Sequence, residues 1–237
     1  MVIYLFLFSF KVDSQDVKLG NCLDEYSNSI EPELKGQVYK GLAGLLGDEF
    51  FNPSYLKGDI FLSNGQIAYG QYLRYNGRID ELLLLRPETS HQILLDKYFI
   101  QGFCLKKTDS SVQIFFDKIS VIKELGADSS QIFAQVLYRN KLSLYAFRRF
   151  LNNQHILVRL NSGEEVLQNS YAASFIYYFK LPNGQTIGFK SLKGRDLYKL
   201  FPGNKELIKK FFKEKHQRRF NTEEDLIRIT KLLNTLY

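Results

Sequence analysis

The sequence predicts a mainly β protein of the α+β class. The expected architecture is an antiparallel meander of hairpins forming a curved sheet or partly closed barrel, with two or three C-terminal helices packed on it. Three observations carry this. Asn-Gly occurs at 64–65, 76–77 and 183–184, each time between strand-like runs, and Asn-Gly is a strong hairpin signal because both residues tolerate positive φ. The chain holds 20 Phe and 15 Tyr but no Trp, and flat rings pack well across a pleated sheet. After residue 191 the apolar spacing changes from period two to helical. Strands first and helices last indicate segregated α+β, not alternating βαβ.

Taken in order, the first hairpin joins a strand through Gly58-Asp59-Ile60-Phe61-Leu62 to one at about 66–75, where Ile67, Tyr69, Leu73 and Tyr75 share a face by alternation. The next strand, about 78–85, runs into the four leucines 82–85, a sign of burial on both faces or of a local bulge, and stops at Pro87. Strands at about 91–96 and 98–106 follow. In a long strand at 111–123, Val112, Ile114 and Phe116 lie on one parity and Ile119 and Val121 on the other. The switch near Asp117-Lys118 predicts a β-bulge. Strands are then expected at 131–139, 142–150, 155–160, 170–180 and 185–190. A short helix over 193–201 ends at Pro202-Gly203, and Leu207, Ile208, Phe211 and Phe212 set an amphipathic helix over 205–215. Asn221-Thr222-Glu223-Glu224 resembles a capping box with Asn221 as N-cap. Leu226, Ile229, Leu232, Leu233 and Leu236 stripe the last helix.

Ahead of the sheet, residues 2–10 (Val-Ile-Tyr-Leu-Phe-Leu-Phe-Ser-Phe) match the apolar core of a secretory signal. They are too few to span a bilayer, which takes about 20. Val12 and Ser14 suit the −3 and −1 positions of a cleavage site, leaving Gln15 first in the mature chain. No Lys or Arg precedes the apolar run, so a buried first strand is the alternative. The organisation is therefore a signal peptide over 1–14, a β domain over 15–190 and a helical cap over 191–237 in the same globular unit. The mature chain has no expected transmembrane span, and its expected location is the periplasm or the outside of the cell. In that compartment Cys22 and Cys104, the only cysteines, can form one bridge. A free Cys104 in a strand would instead act as a small hydrophobe.

Two stretches carry a resemblance. One runs from Gly58-Asp59-Ile60 to Leu73-Arg74-Tyr75-Asn76. The other runs from Tyr178-Phe179-Lys180 through Asp196-Leu197 and 205–215 to Glu224-Asp225-Leu226-Ile227. Together they resemble a group of uncharacterised exported proteins of Bacteroidetes-type bacteria. The resemblance implies export and brings no activity or catalytic residue with it.

Composition excludes several classes. At 237 residues, 45% hydrophobic and 24% charged, the chain is neither disordered nor a disulfide-dependent miniprotein. The three histidines, 91, 155 and 216, stand apart from one another and from Cys, so no metal site is expected. No nucleophile elbow or P-loop occurs. The run Gly41-Leu42-Ala43-Gly44-Leu45-Leu46-Gly47 has the wrong spacing for a dinucleotide loop. Asp59, Asp80, Glu81 and Asp117 lie in or beside strands, where two facing carboxylates would make a hydrolase. The favoured expectation is a non-enzyme without cofactor. Its role is binding or structural support in the envelope, with an envelope protein, an apolar ligand or a polyanion as partner.

Two residue sets give that expectation content. Tyr69, Tyr72, Tyr75, Tyr177 and Tyr178 fall on opposite parities, so some rings leave the core and would line a ligand cavity if the sheet curls. Lys209, Lys210 and Lys213 form a cationic strip within a basic stretch that continues to Lys215, Arg218 and Arg219. The strip suits a polyanion or is simply a solvated face complementing the helix dipole. No nucleic-acid module accompanies it, so nucleic acid is not an expected partner.

Overall fold

The computed structural model describes residues 32–40, 49–107, 112–121, 130–159, 161–189, 194–214, 222–235 and 237, with 153–156, 166–169 and 194–196 described by backbone alone. Eleven strands are found among them: β1 Gly36–Val38, β2 Leu56–Leu62, β3 Ile67–Asn76, β4 Glu81–Arg86, β5 His91–Leu95, β6 Ile100–Lys106, β7 Gln113–Ser120, β8 Gln131–Tyr138, β9 Ser143–Arg159, β10 Glu165–Lys180 and β11 Thr186–Phe189. They form one antiparallel sheet in the order β1-β5-β4-β3-β2-β6-β7-β8-β9-β10-β11. The sheet is curved and not closed into a barrel. Helices α1 Gly194–Leu200, α2 Lys205–Glu214 and α3 Glu223–Asn234 complete the described fold.

Local chemistry explains the turns. At 62–65 the amide of Gly65 donates to the Leu62 carbonyl and the amide of Leu62 donates to that of Gln66. The same pair of bonds recurs at 181–185. Gly65 and Gly184 have φ of +85° and +83°, while Asn64 and Asn183 stay at negative φ. These are type I turns followed by a left-handed glycine, the three-residue hairpin solution, with Pro182 fitting the second turn position. Asn76-Gly77 does not behave this way. The turn there spans 77–80, and its positive φ falls on Asp80.

Alternation places two apolar sets on each face. On one face Ile60, Leu73, Tyr75, Leu82, Leu84, Phe103, Phe116 and Phe133 form the largest core. Its rings interlock: Phe103 stacks on Phe116 at 4.7 Å, and Phe133 meets Phe103 edge-on at 5.2 Å. Further along the same face, Leu144, Ala146, Tyr177, Phe179 and Phe189 receive Leu197, Phe201, Ile208, Phe212, Leu226, Ile229 and Leu233 from the helical segment. The opposite face carries Ile119, Val121, Ile132, Ala134, Tyr145, Phe147, Ile176 and Tyr178, with a smaller group of Phe61 and Cys104.

Four expectations need correction. Ile67 does not share a face with Leu73 and Tyr75. Tyr69 and Gly70 together oppose Asp59 in a bulge, which flips the parity and leaves Ile67 against Phe61 and Cys104. Gly70 serves the bulge with φ of +63°. No bulge interrupts β7 at Asp117-Lys118, since its register with β6 and β8 is continuous. Instead Ile114 and Phe116 enter one core and Ile119 and Val121 the core on the other face. The strands expected at 142–150 and 155–160 are one strand, β9, which continues across a register shift against β10 at Ser170/Tyr171. The N-cap of α3 is Thr222, whose hydroxyl accepts from the amide of Asp225 at 3.3 Å; Asn221 lies outside the described residues. The leucine run is buried on both faces: Leu82 and Leu84 belong to the main core and Leu83 is also fully buried.

Residues 1–14, Cys22, the 41–47 glycine run, Lys215, His216, Arg218 and Arg219 lie outside the described residues.

Candidate functional site

The most elaborate polar arrangement grows from the β3–β4 turn. β8 and β9 pair only between 135–138 and 144–146. Beyond that point they separate, and the turn enters the gap. The amide of Phe150 on β9 donates to the Gly77 carbonyl at 3.2 Å. The amide of Phe133 on β8 donates to Oδ1 of Asp80 at 3.1 Å. A split in the sheet thus has its freed backbone groups satisfied by a turn from three strands away, as buried backbone demands. Gly77 has no room for a side chain, because a Cβ there would lie 2.2 Å from the Arg148 carbonyl oxygen. The side chain of Asn76 shapes the turn, accepting from the amides of Arg78 at 3.0 Å and Ile79 at 3.3 Å.

Asp80 is the centre of the plug. It is 8% exposed and has φ of 57°, a conformation Asp tolerates better than most residues. Tyr75 donates its hydroxyl to Oδ1 at 2.7 Å. The Lys97 ammonium pairs with Oδ2 and also donates to the Asp80 carbonyl at 3.0 Å. Burial pushes the Asp80 carboxyl above its ordinary range against the pull of Lys97, Tyr75 and the Phe133 amide. The neighbouring half-buried Glu81 is pushed up to about 7 by burial and by Asp80 and Asp96, against Lys97. Lys118 donates to the carbonyls of Lys97 and Tyr98, both at 3.1 Å.

The remaining candidate carboxylates are also engaged. Oδ1 of Asp59 accepts from the Gly70 amide at 2.8 Å inside the bulge, and its Oδ2 lies 3.9 Å from Sγ of Cys104. Asp117 accepts two bonds from Arg139, at 2.8 and 2.7 Å, and one from Tyr145 at 3.1 Å. A second clasp joins sheet to helix. The guanidinium of Arg148, 6% exposed, binds Glu223 at the start of α3 through two bonds of 2.6 and 2.8 Å. Arg148 also donates to Gln135 at 2.6 Å and sits 4.6 Å from the Phe175 ring centre. Burial raises the Glu223 carboxyl, but the Arg148 bonds and charge with the Tyr177 hydroxyl outweigh this and hold it below its ordinary value.

The five tyrosines do not gather around one cavity among the described residues. Tyr75, Tyr177 and Tyr178 sit in three different cores. Tyr69 is half-buried, and Tyr72 is exposed with the Lys57 ammonium 5.9 Å from its ring centre. The Tyr178 hydroxyl is buried without a hydrogen-bond partner among the described residues, and burial pushes it up to about 12. Lys209, Lys210 and Lys213 do share the exposed face of α2. Lys209 is paired with Glu206 at 2.6 Å, and Lys210 reaches Glu214 at 3.9 Å.

One feature had no signal in the sequence, and one alternative that the sequence left open is decided. The first is a groove of about 360 Å³ between the entry to β1, the β2–β3 turn and 95–100, with Leu34, Leu62, Leu95, Phe99 and Ile100 as apolar lining. Lys35 lies over Phe99, 4.7 Å from the ring centre. The pairing of β1 with β5 that builds one wall joins residues far apart in sequence, so no local signal announced it. The other is the state of Cys104, for which the sequence allowed a bridge or a free thiol and which is disulfide-bonded. The chain has one other cysteine, Cys22, outside the described residues.

Among the described residues no group of three or more His, Cys, Asp or Glu is placed to hold a metal ion, and no helix is long and apolar enough to cross a membrane. No protein-family model matches the chain, and no curated protein or solved structure does so either.

Proposed function

We propose that the protein is an exported, non-enzymatic β-rich component of the cell envelope, with a binding or structural role, released by cleavage near Ser14. The observation that carries the reading is the disulfide at Cys104, buried in β6. Disulfides persist in oxidising compartments and are rare where glutathione keeps thiols reduced. The non-enzymatic part rests on the carboxylates. Asp59, Asp80 and Asp117 each hold a bulge, a turn or a strand pair together. Thiol labelling of the denatured chain tests the reading. No thiol should react before reduction, and two should react after it. Two reactive thiols in the freshly isolated chain would overturn it.

The groove favours one refinement, the carriage of a small apolar molecule. Its volume lies at the lower end of the range for ligand pockets, and five apolar side chains share its lining with polar and charged ones. N-phenyl-1-naphthylamine should gain fluorescence with the wild-type chain and not with Leu34→Trp, which fills the groove. Equal gains with both would remove the refinement.

A further inference from the structure

Over β2 and β3 the sheet has a second face, turned away from the main core. Leu56, Leu73 and Tyr75 enter that core, so alternation sets Tyr55, Lys57, Tyr72 and Arg74 on the other side. Lys57 lies directly opposite Tyr72 in the β2–β3 register, and Leu56 opposite Leu73. Continuing that register sets Tyr55 opposite Arg74. Phe50, bridged to Asn76, extends the block by one row. Three rings and two cations thus share one patch. Lys57 and Tyr72 are exposed, while Phe50, Tyr55 and Arg74 are half-buried.

Arg74 is the unusual member. Its guanidinium lies 3.5 Å from the Phe50 ring centre and 5.8 Å from that of Tyr55. Its Nε donates to the Asn52 carbonyl at 3.2 Å. Arg78, Arg139 and Arg148 each bind a carboxylate, of Glu49, Asp117 and Glu223. Arg74 binds none among the described residues, and its two Nη groups carry no hydrogen bond there. Those groups are not sealed in, since the buried side-chain polar atom without a partner among the described residues is the Tyr178 hydroxyl. Burial pulls the Arg74 pKa below its ordinary value, and Tyr55, Glu49 and Tyr39 oppose this only through space. Glu49 itself is taken up by Arg78, Asn76 and Tyr39. A guanidinium partly out of water, held flat against rings and lacking an anion, is a preformed seat for a carboxylate.

We propose that this patch binds an acidic polysaccharide built of uronic acids, with the Nη fork of Arg74 on a carboxylate and the Tyr72 ring against a sugar. A uronate carries both parts that the patch fits. Its planar carboxylate matches the fork, and its face of C–H groups packs on the electron-rich face of the Tyr72 ring, which is 37% exposed. Lys57, beside that ring at 5.9 Å from its centre, meets the carboxylate of a neighbouring sugar. Single-stranded nucleic acid also stacks on rings and pairs with cations, but it follows a continuous cationic groove. The choice of polysaccharide over nucleic acid rests on the export reading. The patch is separate from Lys209 and Lys210 on α2, which are already paired with glutamates.

Calorimetric titration of the full chain with an oligogalacturonate tests the proposal. The acid form should bind and its methyl ester should not, because esterification removes the charge and keeps the sugar rings. Arg74→Gln should weaken binding about tenfold or more. Arg74→Lys should not restore it, since a point charge cannot make the paired bonds, although the net charge is kept. Tyr72→Ala, at an exposed position, should weaken binding several-fold with the melting temperature unchanged, and it decides the matter if the Arg74 variants fail to fold. No binding, equal binding of the methyl ester, or full binding by Arg74→Lys and Tyr72→Ala overturns the proposal. Tighter binding of an oligothymidylate, lost in Arg74→Gln, also overturns it and assigns the patch to nucleic acid. Export is read separately from the thiols, so a failed titration leaves that result standing.

Discussion

At the scale of single residues, the polar groups buried in this sheet have opposite energetic signs. The Tyr178 hydroxyl is buried without a partner among the described residues, and such a group carries its full desolvation cost. Tyr178→Phe should therefore raise stability by about 1 kcal/mol in chemical denaturation; a loss would show that the hydroxyl is bonded. Glu81 is a second costly group. Its carboxyl moves from 4.5 to about 7 on folding, so between those values the folded chain keeps a proton that the unfolded chain has released. Stability contributed by the protonated form is present below the unfolded value and is lost as pH rises through about 7. Glu81→Gln should flatten that slope and stabilise the chain at pH 8 by about 1–2 kcal/mol, a figure reduced for the solvent that screens a half-buried group. An unchanged slope would place the titration elsewhere. Glu223 behaves in the opposite way. Its lowered value means that its contribution is present above the unfolded value and lost as pH falls through the folded one.

At the scale of elements, two long-range joints hold the fold together. Gly77 lies against the Arg148 carbonyl where the β3–β4 turn plugs the gap between β8 and β9. Gly77→Ala should cost about 2 kcal/mol through overpacking against backbone, whereas Gly65→Ala introduces no clash and tests only the left-handed turn. Equal losses at the two sites would deny the plug. The second joint is Arg148–Glu223, which ties α3 to the sheet. Glu223→Ala strands a buried guanidinium and should cost about 3 kcal/mol, with α3 amides losing hydrogen-exchange protection first. Neither joint was legible in the sequence. Asp80 and the Phe133 amide it caps are 53 residues apart, and Arg148 and Glu223 are 75 apart, so no local pattern links them. What was legible is local: the turns at 64–65 and 183–184, the alternation of Tyr177 and Phe179 against Ile176 and Tyr178, and the helical stripe of Leu226, Ile229 and Leu233. Alternation misled where one residue changed the count. The extra residue at Tyr69-Gly70 moved Ile67 to the other face. In β7 a change of parity meant a change of core, not a bulge.

At the scale of the whole molecule, a large aromatic content is accounted for by packing. Tyr75, Phe51, Phe103, Phe116 and Phe133 form one interlocked group, and Phe179, Phe189 and Phe201 form another beneath the helices. Among the described residues the five tyrosines do not share a cavity: three of the rings are core members of different clusters. The proposed compartment rests on the disulfide at Cys104, a bond that persists in oxidising surroundings. The direct test is fractionation of cells making the native chain, followed by intact mass under non-reducing conditions and N-terminal sequencing. The expected product is a chain beginning at Gln15, outside the cytoplasm, with Cys22 and Cys104 linked. A chain retaining residues 1–14 in the cytoplasm, with both thiols free, would contradict it.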